Sequence, residues 1–204
     1  MKLKKRTSWD NLNKFVYRNF KLSLDYLKKT KNYFWFSLIL FFCVGILGYL
    51  FPVFFEEQIL KMIAELIEKT EGLDVLELTK FIFINNLKSG FFAVIFGVFL
   101  GIVPLVVGIM NGYVLGFVAS KTISIEGILV LWRLLPHGIF EIPAIMISIG
   151  LGLRLGLFLF ISKNKNWKEF KKWVSDSFRV FVFIVVPLLV LASIIEGVLI
   201  SFLG

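Results

Sequence analysis

The fold is decided by one stretch, residues 135–143, which reads LPHGIFEIP and opens a long apolar run. It holds the only histidine of the chain, His137, and two of its five prolines. Between positions 139 and 161 the only charged residues are Glu141 and Arg154. A charge at membrane depth costs roughly 2.5–3.5 kcal/mol on insertion scales and is normally turned inward toward a partner. The stretch therefore predicts a membrane helix that begins around buried polar side chains.

The spacing within this stretch predicts a polar pair. His137 and Glu141 are four residues apart, which places them on one face of a helix. Pro136 suits a first helical turn, because the N–H that it lacks would have no partner there. Pro143 removes an internal hydrogen bond, so a kink or break is expected at that residue.

The composition places the chain among membrane proteins. Of its 204 residues 58% are hydrophobic and only 18% are charged, which predicts an all-α integral membrane protein with helices of about 20 apolar residues. The net charge of +9 indicates membrane orientation rather than nucleic-acid binding. The single cysteine, Cys43, excludes an intramolecular disulfide and a cysteine metal site. No cleavable signal peptide is expected, because residues 1–33 lack a short apolar core.

Residues 1–33 are predicted to form a cytoplasmic basic amphipathic segment. They carry ten Lys or Arg residues against two acids. Apolar residues recur in them at steps of three and four, the period of an amphipathic helix. Such a helix is expected to lie along an anionic membrane surface. Alternatively, its apolar face packs against the loops of the protein itself.

Residues 34–204 are predicted to form a single polytopic membrane domain. The expected spans are about 34–55, 81–101, 103–120, 137–161 and 180–203. Positions 81–120 contain one charge, Lys88, and are long enough for two spans with a break at 101–104. Acid-rich residues 56–80 are expected outside with an amphipathic helix, and lysine-rich residues 162–179 inside. Residues 121–133 are interpreted as an interfacial or re-entrant segment.

The order of these loops fixes the topology. An odd number of crossings must separate residues 56–80 from residues 162–179, and three spans satisfy this condition. Five spans in total place the N terminus in the cytoplasm and the C terminus outside a multi-pass cell-membrane protein. The layout places the turn near Pro104 in the cytoplasm, although this turn lacks the Lys and Arg residues that are usual on that side.

Glycines mark the predicted helix contacts. Small residues spaced by four let helix backbones approach closely in lipid. Asn111 lies within this series, and a buried amide must be hydrogen-bonded, so Asn111 is expected to reach a neighbouring helix or an unwound carbonyl. The glycines with this spacing are Gly97, Gly101, Gly108, Gly112 and Gly116.

The candidate polar cluster combines these residues with others at depth. Its members are His137, Glu141, Asn111, Glu196, Arg133, Asn85 and Asn86. Arg154 is expected to extend toward the inner interface. A zinc site normally needs three protein ligands, and one histidine with no usable cysteine argues against such a site. Neither a metal nor any other cofactor is therefore predicted. No catalytic residues are assigned, since the chain shows no protease motif and no phosphate-binding glycine loop.

Four segments give the chain a family resemblance. They are Asn85-Asn86, the run NGYVLG at 111–116, the block at 135–144 and Ile195-Glu196-Gly197. Together they resemble the stage II sporulation protein M family over roughly residues 81–200. The resemblance implies a polytopic membrane protein that, in sporulating bacteria, scaffolds an engulfment complex with peptidoglycan-degrading partners. Members in organisms without spores have no generally assigned role.

Three classes of function remain open at this point. The favoured one is a non-enzymatic membrane scaffold whose partners are the lipid bilayer and other membrane or envelope proteins. The glycine seams are also compatible with a homo-oligomer, and no nucleic-acid partner is expected. The alternative is a small transporter or channel that uses His137, Glu141 and Asn111, because broken helix ends at mid-depth form substrate sites. An intramembrane enzyme is the third class.

Overall fold

The computed structural model describes residues 8–133, 135–162 and 166–203. The α-helices are α1 (Ser8–Leu50), α2 (Glu56–Thr70), α3 (Val75–Ile95), α4 (Ile102–Glu126), α5 (Leu135–Gly156), α6 (Phe158–Ile161), α7 (Trp167–Val180) and α8 (Val186–Leu203). Two 3-10 turns, Phe96–Val98 and Ile128–Arg133, precede α4 and α5. A π-helical segment, Phe181–Val185, joins α7 to α8 without a break. The described residues contain no strand.

Five of the described helical segments are long and apolar enough to cross a membrane. They are Trp9–Leu50, Val75–Val98, Ile102–Glu126, Gly138–Gly156 and Trp167–Ser201. The shortest, Gly138–Gly156, has 19 residues, close to the roughly 20 that one crossing needs, and the other four are longer. The predicted fold class, an all-α membrane protein with about five transmembrane helices, is therefore confirmed.

The first helix is longer than predicted. α1 runs for 43 residues without interruption, so the basic amphipathic segment and the first span form one helix that ends at Leu50. At 1.5 Å per residue this is about 65 Å, twice the roughly 30 Å of a hydrocarbon core. Part of α1 must therefore project beyond the bilayer.

The chain between α3 and α4 turns within six residues. Leu100 and Gly101 have positive φ values of 55° and 73°, and α4 begins directly after them. Gly101 has no Cβ atom and adopts this conformation without steric cost, whereas the side chain of Leu100 makes the same conformation unfavourable. Pro104 occupies the first turn of α4, where its missing N–H is harmless. Residues 81–120 thus belong to two helices, with the turn just before the predicted break.

α5 is the centre of the bundle. In its span 56% of the residues are buried inside the protein, against 17% to 33% in the other four. α1, α3, α4 and α8 all pack against it. The helix continues through Pro143, so the expected break at that residue does not occur. Packing on every side holds the helix together where one hydrogen bond is missing.

Contacts between the helices define the two ends of the bundle. At the Arg154 end, Arg154 of α5 contacts Tyr26 of α1 and Trp173 of α7, while Gly156 lies against Gly101. At the Glu56 end, Glu56 pairs with Lys121 near the end of α4, and Thr79 near the start of α3 meets Gly197 of α8. Successive spans therefore alternate in direction.

Candidate functional site

Glycine residues bring the backbones of α1 and α4 into direct contact along a first glycine seam. A Cβ atom built on Gly112 would lie 2.5 Å from the carbonyl oxygen of Phe41. One built on Gly116 would overlap the carbonyl oxygen of Gly45. Gly108, one turn before Gly112, faces the flexible end of the Ile149 side chain on α5, and its Cβ would lie 3.4 Å from it. The same stripe of α4 thus contacts both the first and the fourth span.

A second glycine seam joins the α3–α4 turn to α5. Gly97 lies against the backbone of Gly152, and Gly101 and Gly156 meet at the Arg154 end. Gly152 and Gly156 were missed by the sequence reasoning, although they have the same spacing of four residues. Gly45 was missed as well. Only glycine fits these backbone approaches, because any side chain would occupy the space of the neighbouring helix.

Arg154 occupies an aromatic sandwich. Its guanidinium carbon lies 4.6 Å from the centre of the Tyr26 ring and 4.3 Å from that of Trp173. Its Nη1 atom is buried and has no hydrogen-bond partner among the described residues. Arg154 was expected to extend toward the inner interface. The two rings offset part of the cost of burying the guanidinium, since ring faces attract cations.

Polar contacts fasten the basic part of α1 to α7. The Tyr26 hydroxyl lies 3.3 Å from both the Trp173 carbonyl oxygen and Ser177 Oγ. Arg179 Nε donates to Asn19 Oδ1 at 3.2 Å, and the Asn19 amide donates to the Phe15 carbonyl. The earlier residue of α1, Asn19, contacts the later residue of α7, Arg179, so the two helical segments run antiparallel. The segment therefore packs on α7 through its polar side, with Asn19 and Tyr26 buried, whereas Val16, Phe20 and Leu24 of its apolar face are exposed.

Asn111 does not behave as predicted. Its side chain is exposed on α4 and donates to the Val107 carbonyl oxygen of the same helix at 2.8 Å. It reaches neither a neighbouring helix nor an unwound carbonyl. A bond to the preceding turn satisfies the amide locally, which explains how it can face outward from an apolar helix.

The other members of the predicted cluster are distributed over three helices. Glu141 is partly buried on α5 and Glu196 is partly buried on α8. On α3, Asn85 is exposed and Asn86 is partly buried. The side chains of Arg133 and His137 lie outside the described ones, so the pair of His137 and Glu141 stays a prediction.

Two apolar clefts open on the surface. The larger, of about 370 Å³, lies at the Arg154 end between the α3–α4 turn, α6 and the start of α7. The smaller, of about 200 Å³, follows the seam between α1 and α4. Neither is lined by Asn111, Glu141 or Glu196. Among the residues that the structure describes, no group of three His, Cys, Asp or Glu side chains is close enough to hold a metal ion.

Comparison with protein families gives one decisive result. The family model described as stage II sporulation protein M matches residues 37–199, which is most of the chain. The chain belongs to the stage II sporulation protein M family. Comparison with curated proteins and with solved structures gives no match.

Membership of the stage II sporulation protein M family extends further than the motifs suggested. The match begins within the apolar half of α1 and ends in α8, so it takes in all five spans and both glycine seams. The basic beginning of α1 precedes it. The part of the chain that matches the family is therefore the bundle of membrane-spanning helices.

Proposed function

We propose that this chain is a non-enzymatic membrane assembly protein, a rigid bundle that holds partner proteins at the membrane. The observation that carries the proposal is the direct backbone packing at both glycine seams. Helices in such contact have few alternative arrangements, because packed interiors are not continuously deformable. A fixed platform suits a scaffold better than a transporter, which must rock or open around its site.

The proposed partner surface is α2 at the Glu56 end. This helix is amphipathic: Ile59 is buried, while Leu60 and Ile67 are exposed. Glu65 and Glu68 add negative charge beside them. Exposed apolar residues rimmed by charge are typical of protein interaction sites. A partner that offers apolar side chains and Lys or Arg residues would match this surface.

The proposed orientation places the Arg154 end in the cytoplasm and the Glu56 end outside. The Arg154 end carries the Lys and Arg residues of α1 and α7, whereas α2 and the start of α3 are rich in acids. An excess of Lys and Arg in short loops is typical of the cytoplasmic side. The N terminus is then cytoplasmic, and the C terminus lies outside.

The transporter alternative has less support from the site. It relies on His137, Glu141 and Asn111 as one inward-facing cluster, and Asn111 faces outward. Neither of the two clefts described above is lined by Glu141. We therefore retain the assembly role as the single proposal.

Site-specific photocrosslinking in native membranes tests this proposal. A photoreactive amino acid at Ile67 should give an adduct with another membrane or envelope protein. The same residue at Ile39 is a matched control, because the two side chains are 60% and 61% exposed but Ile39 lies within the apolar part of α1. Replacing Leu60 with Ser should weaken the Ile67 adduct. Recovery of only the chain itself at Ile67 would contradict the assembly role.

A further inference from the structure

The larger cleft lies at the Arg154 end of the bundle. Leu100 of the α3–α4 turn forms one wall, Leu159 of α6 the second, and Trp167 with Phe170 of α7 the third. Its volume of about 370 Å³ falls at the lower end of the roughly 300–1,000 Å³ typical of small-molecule sites. The walls are mostly apolar, so an apolar ligand fits this cleft.

The surface around the cleft is also apolar. Phe99, Leu100, Leu159 and Phe160 are each more than half exposed, and no charged residue occurs between Lys88 and Lys121. A contiguous exposed surface of this kind is unfavourable in water. Such a surface is suited to contact with the acyl chains of a bilayer.

The rim formed by α7 is polar and carries more lysines than acids, and its one first-turn acid, Glu169, accepts a hydrogen bond from Ser162 Oγ at 2.9 Å. Asn166 contributes to the lining and caps α7, with Lys168 and Lys171 in the first turns of that helix. Lys171 Nζ lies 5.5 Å from the centre of the Trp167 ring, so its charge is close to the cleft. Lysine side chains near a membrane surface attract the phosphate groups of anionic lipids.

We propose that this cleft binds one acyl chain of an anionic phospholipid whose phosphate contacts Lys171. The apolar walls accept the chain, Trp167 lies at the level of the glycerol, and the lysine selects the charged headgroup. The site lies at the opposite end of the bundle from α2. The proposal is therefore independent of the assembly role and can fail or succeed without it.

Native mass spectrometry of the detergent-solubilised protein tests the cleft. With dioleoyl phosphatidylglycerol as the probe, the wild type should retain one lipid through delipidating washes. Leu159→Trp fills the cleft and should lose it. Phe160→Trp is the matched control, because Phe160 is the adjacent exposed residue and does not line the cleft. Val98→Phe fills the cleft from the opposite wall and serves if Leu159→Trp fails to fold.

The headgroup is tested with the same measurement. Lys171→Gln should abolish the preference for phosphatidylglycerol over dioleoyl phosphatidylcholine, while Lys61→Gln on α2 should leave it unchanged. Equal retention by the wild type, both filling variants and Phe160→Trp would overturn the cleft as the binding site. Equal retention of the two lipids by the wild type would overturn the selection of an anionic headgroup.

Discussion

Gly116 of α4 lies so close to Gly45 of α1 that their backbones are in contact, and a Cβ atom on Gly116 would occupy the position of the Gly45 carbonyl oxygen. Hydrocarbon tails are as apolar as leucine, so helices in a membrane gain no hydrophobic driving force by associating. Close packing replaces it, and small residues at the contact make close packing achievable. This pair joins the first and third spans.

The glycine seam predicts an asymmetric effect of two alanine substitutions on α4. Gly116→Ala should lower the free energy of unfolding by about 1–3 kcal/mol, the usual cost of overpacking a filled contact. Gly108→Ala meets only the flexible end of Ile149 and should change stability by less than about 1 kcal/mol. Thermal unfolding in one detergent compares the two. Equal melting temperatures for both variants would show that the seam is looser than described.

The aromatic sandwich predicts an energetic coupling between Arg154 and Trp173. A desolvated cation over an aromatic ring contributes about 1–2 kcal/mol, so the double variant Arg154→Met, Trp173→Leu should lose less than the sum of the single variants. Arg154→Lys keeps the charge but not the flat stacking surface, and should remain less stable than wild type. Thermal unfolding of the four proteins forms the cycle. If the losses of stability in the two single variants add up to that of the double variant, the contact between Arg154 and Trp173 contributes no energy.

The pair of Glu56 and Lys121 predicts that the start of α2 and the end of α4 lie together. In a Cys43→Ser background, Glu56→Cys with Lys121→Cys should react with a short bis-thiol crosslinker to give an internally linked chain. Lys28→Cys with Lys121→Cys is the control, because Lys28 belongs to the Arg154 end of α1. The salt bridge itself should contribute less than about 1 kcal/mol, since both side chains are partly exposed. Linkage of the control pair alone would exclude the alternation of spans.

The proposed pairing of His137 with Glu141 predicts a structural role for the histidine. His137→Ala should lower the melting temperature of the solubilised protein, because a carboxylate at depth would lose a hydrogen-bond donor. Glu77→Ala, in an exposed capping box, provides a reference for the loss of a surface contact. Unchanged melting together with lost flux in liposomes would instead support transport.

Hydropathy and chain length were sufficient to predict the five spans, since lipid leaves so few options for a polypeptide backbone. The turn before Pro104 was also predicted from glycine and proline chemistry. The continuity of α1 could have been read from the absence of glycine and proline between Ser8 and Gly45. Its composition changes from basic to apolar, but nothing along it stops a helix.

Other features had no local signal. Arg154 is far in sequence from Tyr26, so only the tertiary arrangement brings the cation to the ring. The outward direction of Asn111 could not be predicted, because α4 is apolar on all sides and offers no face that identifies the core. For the glycines, spacing indicates that a seam exists but does not indicate which helix fills it.

The orientation of the bundle is the claim on which the proposed partner surface depends. It is tested most directly by labelling single cysteines with a membrane-impermeant maleimide on intact cells, in a Cys43→Ser background. Glu68→Cys on α2 should be labelled from outside, and Lys172→Cys on α7 only after the membrane is permeabilised. Labelling of Lys172→Cys on intact cells, with protection of Glu68→Cys, would contradict the account.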